Sequence, residues 1–503
     1  MSLTSNIAAN ALSRLWLALV QIGVTPAIVH LLGPTSYGLV GFYTTLMLSL
    51  VFLDQCASPV LSRSLAQLGS TPGSATEARN LLRTMELVSW STALCIGCAI
   101  VVSAPLIARY WINGSLPEDQ LVNALRLMGV GIAAQWPSFL YGSGFVGLQR
   151  QDVLQAARVV LLTLQAIGAV VVLKISATPE RYLLWQAITS AGVSLALGLL
   201  LWRIMPAAEG FARASLQLLR RVWRFAVGNF AIGFLGAILT QAGGLVVAKY
   251  CSLEQFAAYA LATTLVGQVS TILTLPVSAA LMPHFVQLLA KSDQEGLADE
   301  YHRWAQRIIA LILPVSATLI VFARPLMDIW LGAGSPLAGP VASLLPWLAI
   351  GTLFNTLVTP AYLLQIAAGW TRLTVVTNLV AVGLALPFLI MSVPTYGPLA
   401  AVSCWAALNV GYYLFSVPRM HERLLPRELW PWWTWDTGAP MLIIGILYLI
   451  VAWAIAPEAS AWLSVGYAIV AASAAVGLLV LALPHVRADA LGVFHRLQNV
   501  WGT

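Results

Sequence analysis

Charge is what this sequence has least of. Of 503 residues only 9% are Asp, Glu, Lys or Arg, while 59% are hydrophobic. A soluble domain carries about 25% charged residues and could not hide this much apolar surface. The composition excludes a soluble globular chain and requires a polytopic membrane protein. Acids are scarcer than bases, 19 against 26. Cysteine is sparse too: Cys56, Cys95, Cys98, Cys251 and Cys404. Cys95 and Cys98 have the C-x-x-C spacing of redox and metal motifs, but no second pair or histidine stands near them. They read as small buried apolar residues on one helix. The six histidines, His30, His284, His302, His421, His485 and His495, fall in loops or near span ends and read as interfacial polar groups. No metal-ligand cluster and no Gly-rich phosphate loop after a strand is legible, so neither an enzyme activity nor a cofactor is expected. A membrane glycosyltransferase or ligase would need a sizeable acidic outer loop. Glu118 and Asp119 are the only adjacent outer acids, and a solvated loop explains them.

What is present is a long series of apolar runs. A span needs about 20 apolar residues, and fourteen can be placed: 10–32, 37–61, 85–107, 121–145, 154–173, 182–202, 225–247, 256–281, 308–330, 341–367, 374–393, 399–417, 439–455 and 461–483. The first run is long and carries Arg14, so it reads as a retained span rather than a cleaved leader. Between the sixth and seventh spans, Arg213, Arg220, Arg221 and Arg224 alternate with Phe211, Leu218, Leu219 and Trp223, which suits an interfacial amphipathic helix. After the twelfth, Arg419, Arg423 and Arg427 precede Trp430, Trp432, Trp433 and Trp435, tryptophans suited to the headgroup level.

The chain repeats itself. At an offset of 219 residues Asn10 falls on Asn229, Tyr37 on Phe256, Gly38 on Ala257, and Thr44-Thr45-Leu46 on Thr263-Thr264-Leu265. A second echo sets Gly147-Leu148-Gln149-Arg150 against Gly369-Trp370-Thr371-Arg372. Six spans per half is an even number, so both halves enter from the same side, a parallel repeat with a site between them. The expected fold is all-α and polytopic, with about 14 transmembrane helices. It has an N-terminal six-helix lobe (1–203), a cytoplasmic amphipathic linker (204–224) and a C-terminal six-helix lobe (225–418). The lobes are related by a parallel pseudo-two-fold. A segment at 419–503 adds a linker, two extra helices without counterpart in the repeat, and a cytoplasmic tail. With the N-terminus inside, all but six of the 26 Lys and Arg fall on the cytoplasmic side; the six are Arg109, Arg126, Lys174, Arg181, Lys249 and Arg324. This obeys the positive-inside rule. The net charge of +7 then reflects topology, not a nucleic-acid partner, and both termini are cytoplasmic.

Polar groups inside spans are costly and face a cavity or a partner. Asn10, Arg14 and Gln21 share a face of the first span at 3.6 residues per turn. Asp54, late in the second span, could pair with Arg14 or Arg63 or bind a coupling proton. Arg126 sits in the outer part of the fourth span and Arg158 in the inner part of the fifth. The second half offers Asn229, Gln241, Gln268, Asn355, Gln365 and Asn378, all uncharged, so the first half carries the cationic wall. Uncharged amides commonly serve helix packing. Arg63, Arg83, Arg150 and Arg224, near the cytoplasmic face, suit snorkelling anchors. Guanidinium forms charge-assisted, often bidentate bonds to phosphate, so a basic cavity suits an anionic headgroup such as a pyrophosphate. An organic-cation exporter would prefer acids. Pro26, Pro276, Pro314, Pro346 and Pro360 are candidate kinks.

Arg14, Pro26, the run Leu31-Leu32-Gly33-Pro34-Thr35-Ser36-Tyr37-Gly38, then Leu53-Asp54 and Arg63, together resemble the polysaccharide-transport branch of the multidrug/oligosaccharidyl-lipid/polysaccharide exporters. Gly147-Leu148-Gln149-Arg150 and Arg324-Pro325-Leu326 with Trp330-Leu331-Gly332 extend the resemblance over essentially the whole chain. It implies two six-helix lobes around a cavity opened alternately to each side. It further implies a flippase moving undecaprenyl-pyrophosphate-linked oligosaccharide repeat units, of O-antigen or exopolysaccharide, across the bacterial inner membrane. Arg14, Arg126 and Arg158 would hold the pyrophosphate while Asn10, Gln21, Asn229, Gln241 and Gln268 contact sugar. Implied partners are the lipid-linked substrate, membrane lipids, a coupling proton or sodium ion, and a glycan polymerase. Two positions depart from the family: Cys56 stands where Gly is frequent, and Thr240 or Gln241 where an acid is common. Alternatives are a multidrug or cation antiporter of the same fold, a peptidoglycan-precursor flippase, and the membrane glycosyltransferase or ligase considered above.

Overall fold

A computed structural model describes residues 3–69, 74–113, 116–208, 210–455 and 459–501. The side chains of 3–9, 11, 55–56, 221–232, 273–276, 279 and 493–501 fall outside that description. All described secondary structure is helical. Ten helices among the described residues are long and apolar enough to cross a membrane, and every expected span falls on helix. The protein is a multi-pass, all-α membrane protein.

The chain divides into two compact units, Met1–Ala260 and Leu261–Thr503. In the first, α1 (Leu3–Leu50) holds both the first span and the start of the second; they meet at Gly33, whose φ of 76° suits glycine. A 3-10 turn (Val51–Cys56) then leads to α2 (Ser58–Gly69), so the second span is broken at Asp54. There follow α3 (Ala75–Tyr110), α4 (Glu118–Gln135), α5 (Pro137–Gly147), α6 (Gln151–Ile175), α7 (Pro179–Ile204), α8 (Leu216–Tyr250) and the start of α9 (Leu253–Ala290). The fourth span is two helices, not one, because Pro137 has no N–H to continue α4. The core between α2, α3, α5 and α7 is built from Leu61, Leu65, Leu82, Leu140, Phe145 and Leu201. The stretch between α7 and α8 departs from the expected interfacial helix. Residues 206–208 and 210–215 are non-helical. The Arg213 N–H donates to Asn80 Oδ1 (2.7 Å) and the Ser215 N–H to Thr84 Oγ1 (3.0 Å), fixing this stretch to α3. Leu216 onward joins the seventh span as one helix; the side chains of Arg221, Trp223 and Arg224 lie outside the described residues.

In the second unit α9 continues to α10 (Gln294–Val321), α11 (Ala323–Trp330), α12 (Ala338–Ala367), α13 (Thr371–Tyr396), α14 (Pro398–Gly411) and α15 (Val417–Leu424). A short turn, α16 (Leu429–Pro431), and a π-helical segment (Trp432–Gly438) lead to α17 (Ala439–Ala454), α18 (Ala461–Ala482) and a terminal helix, α19 (Pro484–Trp501). The two extra spans pack on α10. Of the proline kink candidates, Pro26, Pro314, Pro346 and Pro360 sit inside helices; the Pro276 side chain is outside the described residues. The Pro314 carbonyl accepts from the Thr318 and Tyr448 hydroxyls.

Residues related by the 219-residue offset also touch. The Thr35 hydroxyl donates to Glu254 Oε1 at 3.0 Å, and these residues are 219 apart. Phe42 and Phe256 meet edge-to-face at 6.3 Å. Gly38 and Gly41 lie against Leu253 and Ala260, where any side chain would clash. The second echo, however, is misaligned. Gln149 (φ 55°) and Gly369 (φ 69°) are the corresponding left-handed residues of two identical turns. In one, Gln149 and Arg150 donate to Val146 and Phe145; in the other, Gly369 and Trp370 donate to Ile366 and Gln365. The turn therefore pairs Gln149, not Gly147, with Gly369.

Facing also corrects several readings. Cys95 and Cys98 are exposed on the side of α3, not buried. Trp430 and Trp435 are exposed as headgroup anchors would be, but Trp432 is fully buried. His421 is buried rather than interfacial.

Candidate functional site

Two cations of the first unit, Arg14 and Arg158, gather where α1 and α6 run side by side. Helix–helix contact there is polar. Asn10 donates to Gln151 and accepts from Gln155 Nε2 (2.6 Å); Ser13 Oγ donates to Gln155 Oε1 (2.9 Å); Trp16 Nε1 donates to Thr163 (3.0 Å). Such bonds hold transmembrane helices where apolar burial gives no driving force. Both ends of the Asn10 amide are thus used in packing. On this stitched pair stand Arg14, one turn after Asn10, and Arg158, one turn after Gln155. Both are half-buried. They are close enough that the charge of Arg14 acts on Arg158, and among the described residues neither forms an ion pair. Gly142 on α5 makes room: a Cβ there would stand 2.7 Å from Arg158 Nη2. Two like charges in one apolar region without a counter-ion are unfavourable by themselves and suit an anion that arrives with the substrate.

Other expected site residues are placed differently. Arg126 enters from the opposite end of the unit, about 20 Å from Arg158 along the helix axes at 1.5 Å per residue. It lines a pocket of about 540 Å³ with Pro105, Glu118, Asp119, Val122 and Asn123. Gln21 is exposed on α1, and Gln241 lies half-buried on α8 with its amide near Thr240 (3.4 Å). Gln268 is half-buried on α9, in the second unit. The Asn229 side chain is outside the described residues. Of the remaining amides, Asn355 donates to Asn409 (2.8 Å), Asn378 accepts from Tyr412 (3.1 Å) and Gln365 from Thr374 (3.2 Å), all helix-packing contacts. Asp54 is buried in the 3-10 break, with Oδ1 unpartnered among the described residues and no ion pair to Arg14. Arg63 is exposed on α2.

One acid escaped the sequence reading. Glu86 on α3 is 3% exposed. It accepts from Tyr141 Oη (3.0 Å), Trp202 Nε1 (2.7 Å) and Arg83 (3.1 Å), and Trp90 donates in turn to Tyr141. Arg83, expected as a snorkelling anchor, is therefore also an ion-pair partner. The available signal was an acid inside an apolar run three residues after an arginine.

The family model described as "Polysaccharide biosynthesis protein" matches residues 27–334, more than half of the chain. The chain belongs to that family. Among curated proteins none matches the sequence. Among solved structures, the lipid II flippase MurJ in its inward closed conformation is similar with a TM-score of 0.72 at 11% identity, covering 94% of this chain and 98% of that one. The inward-facing conformation of a multidrug resistance MATE family transporter of the MOP superfamily gives 0.64 at 13%, covering 82% and 99%. The outward-facing conformation of such a transporter gives 0.56 at 13%, covering 83% and 95%. At these identities the likeness is one of fold. Family and fold together bear out the resemblance to the polysaccharide-transport branch of the exporter superfamily, and the family member described here has that superfamily's transporter fold.

Proposed function

We propose that this protein is a flippase for undecaprenyl-pyrophosphate-linked oligosaccharide repeat units, working by alternating access in the bacterial inner membrane with both termini cytoplasmic. The observation that carries the reading is the Arg14–Arg158 pair: two half-buried guanidiniums on stitched helices, within electrostatic reach and without a counter-ion among the described residues. Guanidinium offers forked donors that match phosphate oxygens, and a pyrophosphate supplies the missing negative charge. Membership of a polysaccharide biosynthesis family supports a saccharide cargo, and the fold shared with a lipid II flippase supports a lipid-linked one. Arg14 and Arg158 hold the headgroup. Arg126 and Asn123, at the opposite end of the unit, meet it at a later stage of transfer, because about 20 Å is beyond one pyrophosphate. Gln21, Gln241, Gln268 and Asn229 are left for sugar contacts. Asp54, with a buried oxygen awaiting a partner, is the coupling site for a proton. A multidrug antiporter would need acids free to bind cations, and of the two described buried acids of the first unit Glu86 is already engaged by three donors, leaving Asp54 against two unpaired arginines.

The reading is tested in proteoliposomes loaded with labelled undecaprenyl-pyrophosphate oligosaccharide, outward exposure being followed with a membrane-impermeant glycosidase. Wild type is expected to expose the label and Arg158→Ala is not. Export of a cationic dye with no lipid flipping would replace this reading with the antiporter.

A further inference from the structure

The second unit holds a polar cluster that the transport reading does not use. His302 on α10 stands between two carboxylates of the segment leading into α17. Its Nδ1 meets Asp436 Oδ2, and its Nε2 meets Glu428 Oε2 at 3.0 Å. A neutral imidazole has one N–H and one lone pair, and an ionised carboxylate only accepts. Carboxylates on both ring nitrogens therefore require one proton beyond a neutral ring and two carboxylates. Asp436 is 2% exposed, and its other oxygen accepts from Gln306 Nε2 at 2.8 Å. Gln306 Oε1 accepts in turn from the His485 N–H (3.0 Å) at the start of α19. One turn of α10 thus holds the approach to α17 and the start of α19.

The surroundings are titratable and closed. His421 on α15 is fully buried; its Nδ1–H donates to the Val417 carbonyl (3.0 Å), and its Nε2 has no partner among the described residues. The Tyr301 ring lies 5.2 Å from His421 and 5.9 Å from His302, with its hydroxyl unpartnered among the described residues. Trp432 closes the cage 5.7 Å from His421. Along α10, Arg303 is matched with Asp299 and Glu300, Glu300 with His284, Arg307 with Asp489, and Asp299 with His485, while Glu295 in the first turn is exposed.

We propose that His302, Asp436 and Glu428 form a proton-binding latch that holds the C-terminal extension, residues 425–501, on α10. With the proton bound, both ring nitrogens donate and both carboxylates are satisfied. Without it, a buried carboxylate faces a ring lone pair, an arrangement that costs the desolvation of that charge with no bond in return. Docking of α17 then weakens. The ligand is the proton alone, and the latch stands whether or not the protein is a flippase.

The test is hydrogen–deuterium exchange of 429–454 in the full chain in nanodiscs, at pH 6 and pH 9, with protection corrected for the intrinsic rate. Wild-type protection is expected to fall by about tenfold for each pH unit above the triad's titration, the limit for one proton. Asp436→Asn replaces the missing proton by an amide: its N–H donates to Nδ1, its oxygen still accepts from Gln306, and Nε2–H keeps Glu428. This variant is expected to stay protected at both pH values. His302→Gln is expected to lose protection at both. Wild-type protection that is equal at pH 6 and pH 9, or an Asp436→Asn variant that keeps the wild-type pH dependence, overturns the latch.

Discussion

The two units handle charge in opposite ways. In the second, the buried and half-buried charges come in pairs, His302 with Asp436 and Glu428, Arg307 with Asp489, Arg303 with Asp299, Asp328 with Arg324, while Lys291, Glu295, Arg372, Arg427 and Arg487 are exposed. In the first, Glu86 has Arg83, but Arg14 and Arg158 have no counter-ion among the described residues. Both units sit in the same apolar composition, so the difference is not one of solvent. A paired charge contributes to holding helices together. An unpaired one opposes folding and persists where it has another use. On the proposed function, the unpaired charges of the first unit serve the substrate and the paired ones of the second serve assembly.

Removing one cation from each unit should have opposite effects. Arg158→Ala is expected to lower translocation about a hundredfold or more, the equivalent of one or two charge-assisted bonds at about 1.5–3 kcal/mol each. Because the charge it removes is unpaired, its melting temperature in detergent should equal or exceed that of wild type. Arg307→Ala in the second unit should do the reverse, leaving translocation intact and lowering stability. If Arg158→Ala unfolds the protein, Arg158 belongs with the paired charges and the contrast fails.

A smaller effect sharpens the exception. Glu86→Ala strands the buried donors of Tyr141 and Trp202 and should cost about 2–3 kcal/mol in denaturation, while the headgroup affinity of the folded fraction stays unchanged. Gly142→Ala comes next. Its Cβ would clash only with the flexible end of Arg158 and otherwise rest in ordinary contact with Leu154, so stability should hardly change, but the displaced guanidinium should bind a pyrophosphate lipid a few-fold more weakly, roughly 1 kcal/mol. The smallest effect is Asp489→Asn. The bidentate bond from Arg307 holds the Asp489 carboxyl below the usual carboxylate range. A depressed pKa contributes stability above the unfolded value and loses it as pH falls through the folded one. Asp489→Asn should therefore match wild type at acid pH and fall slightly below it near neutrality, by an amount limited by solvent screening at this exposed pair.

Much of this was legible in the sequence, for identifiable reasons. Apolar runs mark spans whatever their packing. The repeat was readable because residue types recur at one offset, most plainly Thr44-Thr45-Leu46 and Thr263-Thr264-Leu265. Gly147 misled because residue identity was matched, while the turn is defined by the left-handed residue, Gln149 in one copy and Gly369 in the other. Arg14 and Arg158 stood out as charges within apolar runs. That they meet, and that Arg126 does not join them, depends on which helices pair. Cys95 and Cys98 show the same limit, since periodicity fixes a helix face but not which face meets lipid. His302 looked interfacial because its partner Asp436 is 134 residues away, a separation at which no local pattern links them.

Whether the unpaired guanidiniums of the first unit hold a pyrophosphate is decided by the affinity of purified protein for undecaprenyl pyrophosphate, measured by native mass spectrometry on wild type and on Arg14→Ala/Arg158→Ala, with undecaprenyl monophosphate alongside. The account predicts that wild type prefers the pyrophosphate and that the double variant binds it about a hundredfold or more weakly and no longer distinguishes the two lipids. Equal affinity of both proteins for the pyrophosphate would contradict it.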